Sequence, residues 1–330
     1  MRTAAGDKVI ATDDARAPAI EDVLEAAARI RPYAHVTPVL TSAAIDRRSG
    51  ASVFFKCENF QKVGAFKFRG AVNAIFSLSE DTAARGVATH SSGNHAAAVS
   101  LAASLRNTTA TVIMPEDANA TKRAAVECYG GKVVLCRSGQ KSREEILSRV
   151  LAETGATFIP PFDHHHVIAG QGTAALELLN QSPGLDFVLA PVGGGGLLAG
   201  TALVASALSP GTRVFGAEPE AVDDACRSLR AGRIQGLEST NTIADGLRTT
   251  LGKLTFSVIR EHVEDILCVT EDEIIAAMRM VWERMKILIE PSSAVAVAAL
   301  LKSPGRFAAK RVGVILSGGN VDLNSLPWGR

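Results

Sequence analysis

Apolar residues along this chain fall into two alternating kinds of segment. Short runs rich in β-branched and aliphatic residues, at positions 52–57, 86–89, 110–114, 132–136, 187–191, 213–217 and 311–316, predict strands. Between them, segments such as 94–105, 120–129 and 142–153 carry apolar residues at helical spacing and predict helices. Thr270 followed by Glu273 has the form of a capping box and predicts a helix running to about Lys286. Gly130 and Gly131 read as a helix stop before a strand. The richest apolar stretch, 291–301, is too short to span a bilayer and predicts a buried helix. The alternation predicts an α/β protein with parallel sheets and crossover helices. No repeat or linker marks a domain boundary. Strands between about positions 86 and 160 are candidates for a compact unit inside the chain, which would make the larger domain discontinuous.

Composition changes this picture little but excludes several functions. The 330 residues suggest about two domains. The chain is 47% apolar and 21% charged, as expected of a soluble globular protein rather than a disordered one. Lys and Arg (35) nearly balance Asp and Glu (34), a net charge of +1, so no field gathers nucleic acid or anionic membrane. Aromatics at 5% also argue against base-stacking platforms. Residues 1–16 lack the apolar core of a secretion signal. The five cysteines (57, 128, 136, 226, 268) form no C-x-x-C pair, which fits reduced thiols in a cytoplasmic protein.

Three local motifs carry candidate chemistry. Gly193, Gly194, Gly195 and Gly196 follow a predicted strand and open a predicted helix, where bare backbone N–H groups and the helix dipole can cradle a phosphate. No Gly-Lys-Ser/Thr follows, so this is not a P-loop. A dinucleotide site remains open: Gly194-x-Gly196-x-x-Ala199 fits the loose fingerprint, with Glu218 ending the next strand. In the second motif Lys67 stands between Phe66 and Phe68 at a predicted helix start. Desolvation there would lower its pKa and make it a nucleophile toward carbonyls; a surface lysine with packed neighbours has the same spacing. In the third, Ser91, Ser92, Gly93, Asn94 and His95 lie between a strand and a helix, a setting that suits a carboxylate and equally suits a simple N-cap turn.

Together these motifs resemble the serine racemase and serine/threonine dehydratase branch of the fold-type II pyridoxal phosphate enzymes. The likeness runs from about Thr37 to Asn320 and keeps the order of the elements. Phe54 to Lys62 and Gly64 to Ala71 resemble the Schiff-base lysine segment, Ser91 to His95 the substrate loop, Gly193 to Gly196 the phosphate loop, and Ser317 to Asn320 the closing cofactor segment. The resemblance implies two open, twisted, mainly parallel sheets flanked by helices. A large cofactor-binding domain would comprise 1–85 and 164–330, and a small substrate-loop domain 86–163. Lys67 would hold pyridoxal 5'-phosphate covalently, with its phosphate on Gly193, Gly194, Gly195 and Gly196. Phe66 would pack on the ring, Asn94 would bond the ring hydroxyl, and Ser317 would meet the ring nitrogen. Ser91, Ser92, Asn94 and His95 would hold the substrate carboxylate.

The implied reaction is loss of water from a 3-hydroxy amino acid, giving a 2-oxo acid and ammonia. The substrate would be 3-hydroxyaspartate, serine or threonine. Lys67 would serve as general base, and a weakly acidic Ser317 would leave the ring nitrogen unprotonated and favour elimination over transamination. Ser92 on the opposite face would allow racemisation, so a serine- or aspartate-type racemase is the alternative activity. A dehydrogenase using the glycine loop with NAD is a remote one, leaving Lys67 unexplained. Arg143 matches a position near the pocket, where it would pair with a second carboxylate; an exposed helix-end arginine reads the same way. Glu218, the carbonyl of Val222 and Asp224 resemble a site for Mg²⁺, with Ca²⁺ or Mn²⁺ as substitutes; an acidic loop after a strand is the other reading. His164, His165 and His166 read as a loop entering a turn at 167–172 rather than a metal cluster. Ala65 departs from the serine common in threonine dehydratases and agrees better with hydroxyaspartate dehydratases and microbial serine racemases. The family implies a homodimer. The chain ends soon after Asn320, so no separate regulatory domain is expected.

Overall fold

The computed structural model describes residues 16–118 and 120–328, so the reading of residues 1–16 lies, Arg16 apart, outside them. In chain order the described strands are β1 (Val39–Leu40), β2 (Ser52–Cys57), β3 (Val87–His90), β4 (Ala110–Pro115), β5 (Lys132–Cys136), β6 (Thr157–Phe158), β7 (Phe187–Pro191), β8 (Arg213–Pro219), β9 (Val263–Val269) and β10 (Arg311–Leu316). They form a six-stranded sheet, β1-β2-β10-β7-β8-β9, and a four-stranded sheet, β5-β4-β3-β6. Every pairing is parallel except β1 with β2. The small sheet is thus inserted between β2 and β7 of the large one.

Parallel strands covered by helices are apolar on both faces. All five residues of β7 are buried. Its Phe187 and Leu189 enter one core, and Val188 and Ala190 enter another on the opposite face. The predicted segments 271–286 and 291–301 form as Glu271–Met285 and Pro291–Lys302, and Thr270 and Glu273 exchange the bonds of a capping box. Three strands escape the sequence pattern: β1 and β6 are two residues long, and acids at Glu264 and Asp265 interrupt β9. No helix among the described residues is long and apolar enough to cross a membrane.

The predicted loop and turn at 164–172 is instead helical. Helix His165–Gln181 runs straight through Gly170 and Gly172, with His165 3.2 Å from Asp22. These glycines let backbones approach. A Cβ at Gly170 would fall 2.7 Å from the Cα of Gly70, and one at Gly200 2.6 Å from the nitrogen of Gly172. The helix is thereby pressed against both Lys67–Phe76 and Gly196–Leu208, which begin at the two ends of the candidate site.

A buried charge cluster fixes the first of these helices. Fully buried Arg69 donates to both oxygens of Glu58 (2.7 and 2.8 Å) and of Glu177 (2.7 and 2.8 Å). Lys56 donates to Glu177 at 2.5 Å and to the carbonyl of Thr37 at 2.7 Å. Two cations and two carboxylates balance, the condition for holding ions inside a protein.

Candidate active site

The chemistry-bearing loops follow the carboxyl ends of β2, β3, β7 and β10, where open α/β sheets place ligands. Lys67 is the first residue of its helix. The chain before it is tied to the loop after β10: Phe66 N–H donates to the carbonyl of Ser317 (3.0 Å), Gly319 N–H to that of Gly64 (2.9 Å), and Ala65 bridges Gly318. One motif near residue 66 and another 250 residues on are therefore one unit in space. The Lys67 amine lies between the sheets and donates to the carbonyl of Pro161 at 2.6 Å, 5.2 Å from the Phe66 ring centre. Burial pushes its pKa down to about 8, with Glu290 acting in the opposite direction.

Glu290 has no counterpart among the residues expected from sequence. It is 5% exposed and accepts from Asn94 Nδ2 at 2.9 and 3.1 Å; burial pushes its pKa up to about 7. Asn320 donates to Asn94 Oδ1 (2.9 Å) and to the carbonyl of Val63 (2.7 Å). The one sequence signal of Glu290 is that it is an acid inside the apolar run Ile287-Leu288-Ile289-Glu290-Pro291. Beside Asn94 and Asn320 opens a cavity of about 220 Å³, also lined by Gly93, Lys122 and Tyr129.

Ser91, Ser92 and Gly93 form the turn after β3, and helix Asn94–Leu105 begins directly after it. Ser91 accepts from Gly93 N–H at 3.3 Å. His95 is 2% exposed, with Nε2 3.0 Å from the carbonyl of Ile159. Burial, then the Lys67 charge, holds its pKa near 3, so the ring is neutral at working pH.

Gly193, Gly194 and Gly195 follow β7, and Gly196 begins helix Gly196–Leu208. A Cβ at Gly194 would stand 2.2 Å from the Phe162 ring, one at Gly193 2.9 Å from the Cα of Leu247. Gly195 has φ +88°, a conformation that favours glycine. Only bare backbone fits here, with the helix-start N–H groups directed outward.

Arg143, in helix Gln140–Thr154, lies near His90, whose pKa it helps burial to lower. Its Nε is buried without a hydrogen-bond partner. Glu218 lies near the end of β8, one strand over from the glycine loop, and Asp224 opens the helix Asp224–Ala231 that follows. Glu218 accepts from the N–H groups of Ala225 (3.0 Å) and Cys226 (2.9 Å); both oxygens of buried Asp224 lack a partner. Burial pushes these carboxyls up, to about 9 and about 6. Among the described residues no three His, Cys, Asp or Glu side chains gather to hold a metal ion.

The profile of the family described as pyridoxal-phosphate dependent enzyme matches residues 30–318. The beta-hydroxyaspartate dehydratase of Paracoccus denitrificans is 51% identical over 311 residues, 94% of this chain and 99% of that protein. The L-threo-3-hydroxyaspartate ammonia-lyase of Saccharomyces cerevisiae is 49% identical, over 93% of this chain and 94% of its own. The crystal structure of serine racemase from Dictyostelium discoideum superposes with a TM-score of 0.89 at 50% identity, covering 93% of this chain and 99% of that one.

Proposed function

Because this chain belongs to the pyridoxal-phosphate dependent enzymes, we propose that it eliminates water from a 3-hydroxy amino acid, 3-hydroxyaspartate first among the candidates, and that the released imine takes water up again to give a 2-oxo acid and ammonia. The observation that carries this reading is the desolvated amine of Lys67, set between the Ser317 segment and the substrate turn. The residues fit the cofactor. An amine with its pKa lowered to about 8 suits its aldehyde, the side-chain-free loop at Gly193, Gly194, Gly195 and Gly196 suits its phosphate, and the hydroxyl of buried Ser317 suits its ring nitrogen. Phe66 and Asn94 would complete the ring contacts. Bound there, the cofactor supplies an electron sink that acidifies the substrate Cα–H.

Each side chain then has a task. Lys67 takes the Cα proton as its neutral amine. The Ser91–Asn94 turn and the N–H groups opening its helix hold the α-carboxylate, with neutral His95 walling the site. Arg143 meets the second carboxylate of 3-hydroxyaspartate, which serine and threonine lack; its unpaired Nε supports that assignment. Ser92 returns a proton to the face opposite Lys67. The likeness to a serine racemase favours racemisation as a second activity on the same groups.

Glu218, the Val222 carbonyl and Asp224 would bind Mg²⁺ or a similar hard divalent ion. The unpartnered oxygens of Asp224, beside the buried carboxyl of Glu218, are what such an ion would relieve. We assign a large domain to residues 1–85 and 164–330 and a small one to 86–163, and infer a cytoplasmic homodimer. The test is release of ammonia and 2-oxo acid from serine, threonine and each hydroxyaspartate stereoisomer, with and without Mg²⁺. Turnover of a hydroxyaspartate well above serine is expected; no ammonia from any of them overturns the reading.

A further inference from the structure

We propose that Asp163 is a positioning residue for the cofactor phosphate: it clips the segment that roofs the glycine loop onto the helix that supports the loop from below. The inference rests on the cofactor reading above. Asp163 Oδ2 accepts from Lys253 N–H at 2.9 Å, and Oδ1 from Leu254 N–H at 2.9 Å and Thr255 N–H at 3.1 Å. These are first-turn donors of helix Lys253–His262, whose own N-cap, Gly252, has no side chain to offer them. Asp163 comes from a segment 90 residues earlier and approaches so closely that a Cβ on Gly252 would lie 2.0 Å from its Cγ.

Both pieces joined by this carboxylate touch the cradle. Thr255, in the capped turn, donates Oγ1–H to the carbonyl of Gly194 at 2.8 Å, and its Cβ would meet one on Gly195 at 2.9 Å. Phe162, next to Asp163, closes the other side, its ring against Gly194 and its own Cβ 3.2 Å from a Cβ on Gly196. Without Asp163 the roof and floor of the loop lose their joint, and three helix-start N–H groups stand free beside the cradle. Such a helix start is itself an anion site and would compete for the phosphate. The sign of the effect separates this role from plain electrostatics. Removing a negative charge beside a dianion should tighten its binding, whereas losing the clip should weaken it.

The experiment titrates apoenzyme with pyridoxal phosphate and with pyridoxal, which lacks the phosphate, reading both by absorbance. Wild type is expected to prefer the phosphate form. D163A should raise the Kd for pyridoxal phosphate about tenfold and leave that for pyridoxal within about twofold. D163N keeps an acceptor oxygen and should recover part of the loss. T255V should weaken the same ligand, less than additively with D163A. Tighter or unchanged binding of pyridoxal phosphate by D163A, or an equal loss for both ligands, overturns the proposal. Should D163A not fold, the ratio is read from D163N: about a threefold loss confined to the phosphate form supports the clip, and an unchanged ratio overturns it. Wild type with no preference for the phosphate form overturns the cradle reading and this inference together.

Discussion

An amine with a pKa of about 8 is substantially neutral where an ordinary lysine, near 10.4, is almost wholly charged. Neutral amine is the nucleophile, and the neutral fraction is gained as pH rises through the pKa. Capture of pyridoxal phosphate by apoenzyme should therefore accelerate with a midpoint near pH 8, measured by stopped-flow absorbance; a midpoint above 10 would contradict the burial of Lys67. Ser92→Ala should abolish racemisation and spare elimination from L-substrates, and equal loss of both rates removes Ser92 from its role. Lys67, Asn94 and Ser317, whose segments the structure brings to one place, each sit in a short motif that the sequence displays. Glu290 and Asp163 do not. Their meaning comes from partners 196 and about 90 residues away, Asn94 and the helix at Lys253, and no local spacing encodes such a meeting.

Elements with unbroken apolar runs or explicit caps were the readable ones. Thr270 is such a case: Thr270→Ala should destabilise the protein by about 1 kcal/mol, through loss of the bond to Glu273 N–H, as measured by urea denaturation. The segment 164–172 misled because glycines inside a helix look like breaks. Here they are contact points, which shows only when the neighbouring helices are in place. Arg69 belongs to this scale also, since it joins the turn after β2, the lysine helix and helix His165–Gln181. Arg69→Met would leave fully buried Glu58 without its cation and Glu177 with Lys56 alone, and a loss of about 3–5 kcal/mol is expected from the same denaturation experiment. A loss under about 1 kcal/mol would mean that water reaches the cluster.

For the whole molecule, the α/β class was readable from alternation, but the strand order was not, because parallel neighbours are chosen by crossovers rather than by local pattern. The proposed cation links site and stability at this scale. Mg²⁺ at about 100 times its Kd should stabilise the protein by about 2.7 kcal/mol, seen as a higher Tm that EDTA reverses. An unchanged Tm would leave Glu218 and Asp224 as a buried acidic pair with no ion to serve. The position of β10 has a consequence for biosynthesis. This strand, the last of the described ones to be made, fills the gap between β2 and β7, which were made long before. On the ribosome the small sheet has all its strands before β7 emerges, while the large one waits, open along its middle, for β10. Ser317 follows β10 directly, so the segment proposed to meet the cofactor ring is seated only as the sheet closes.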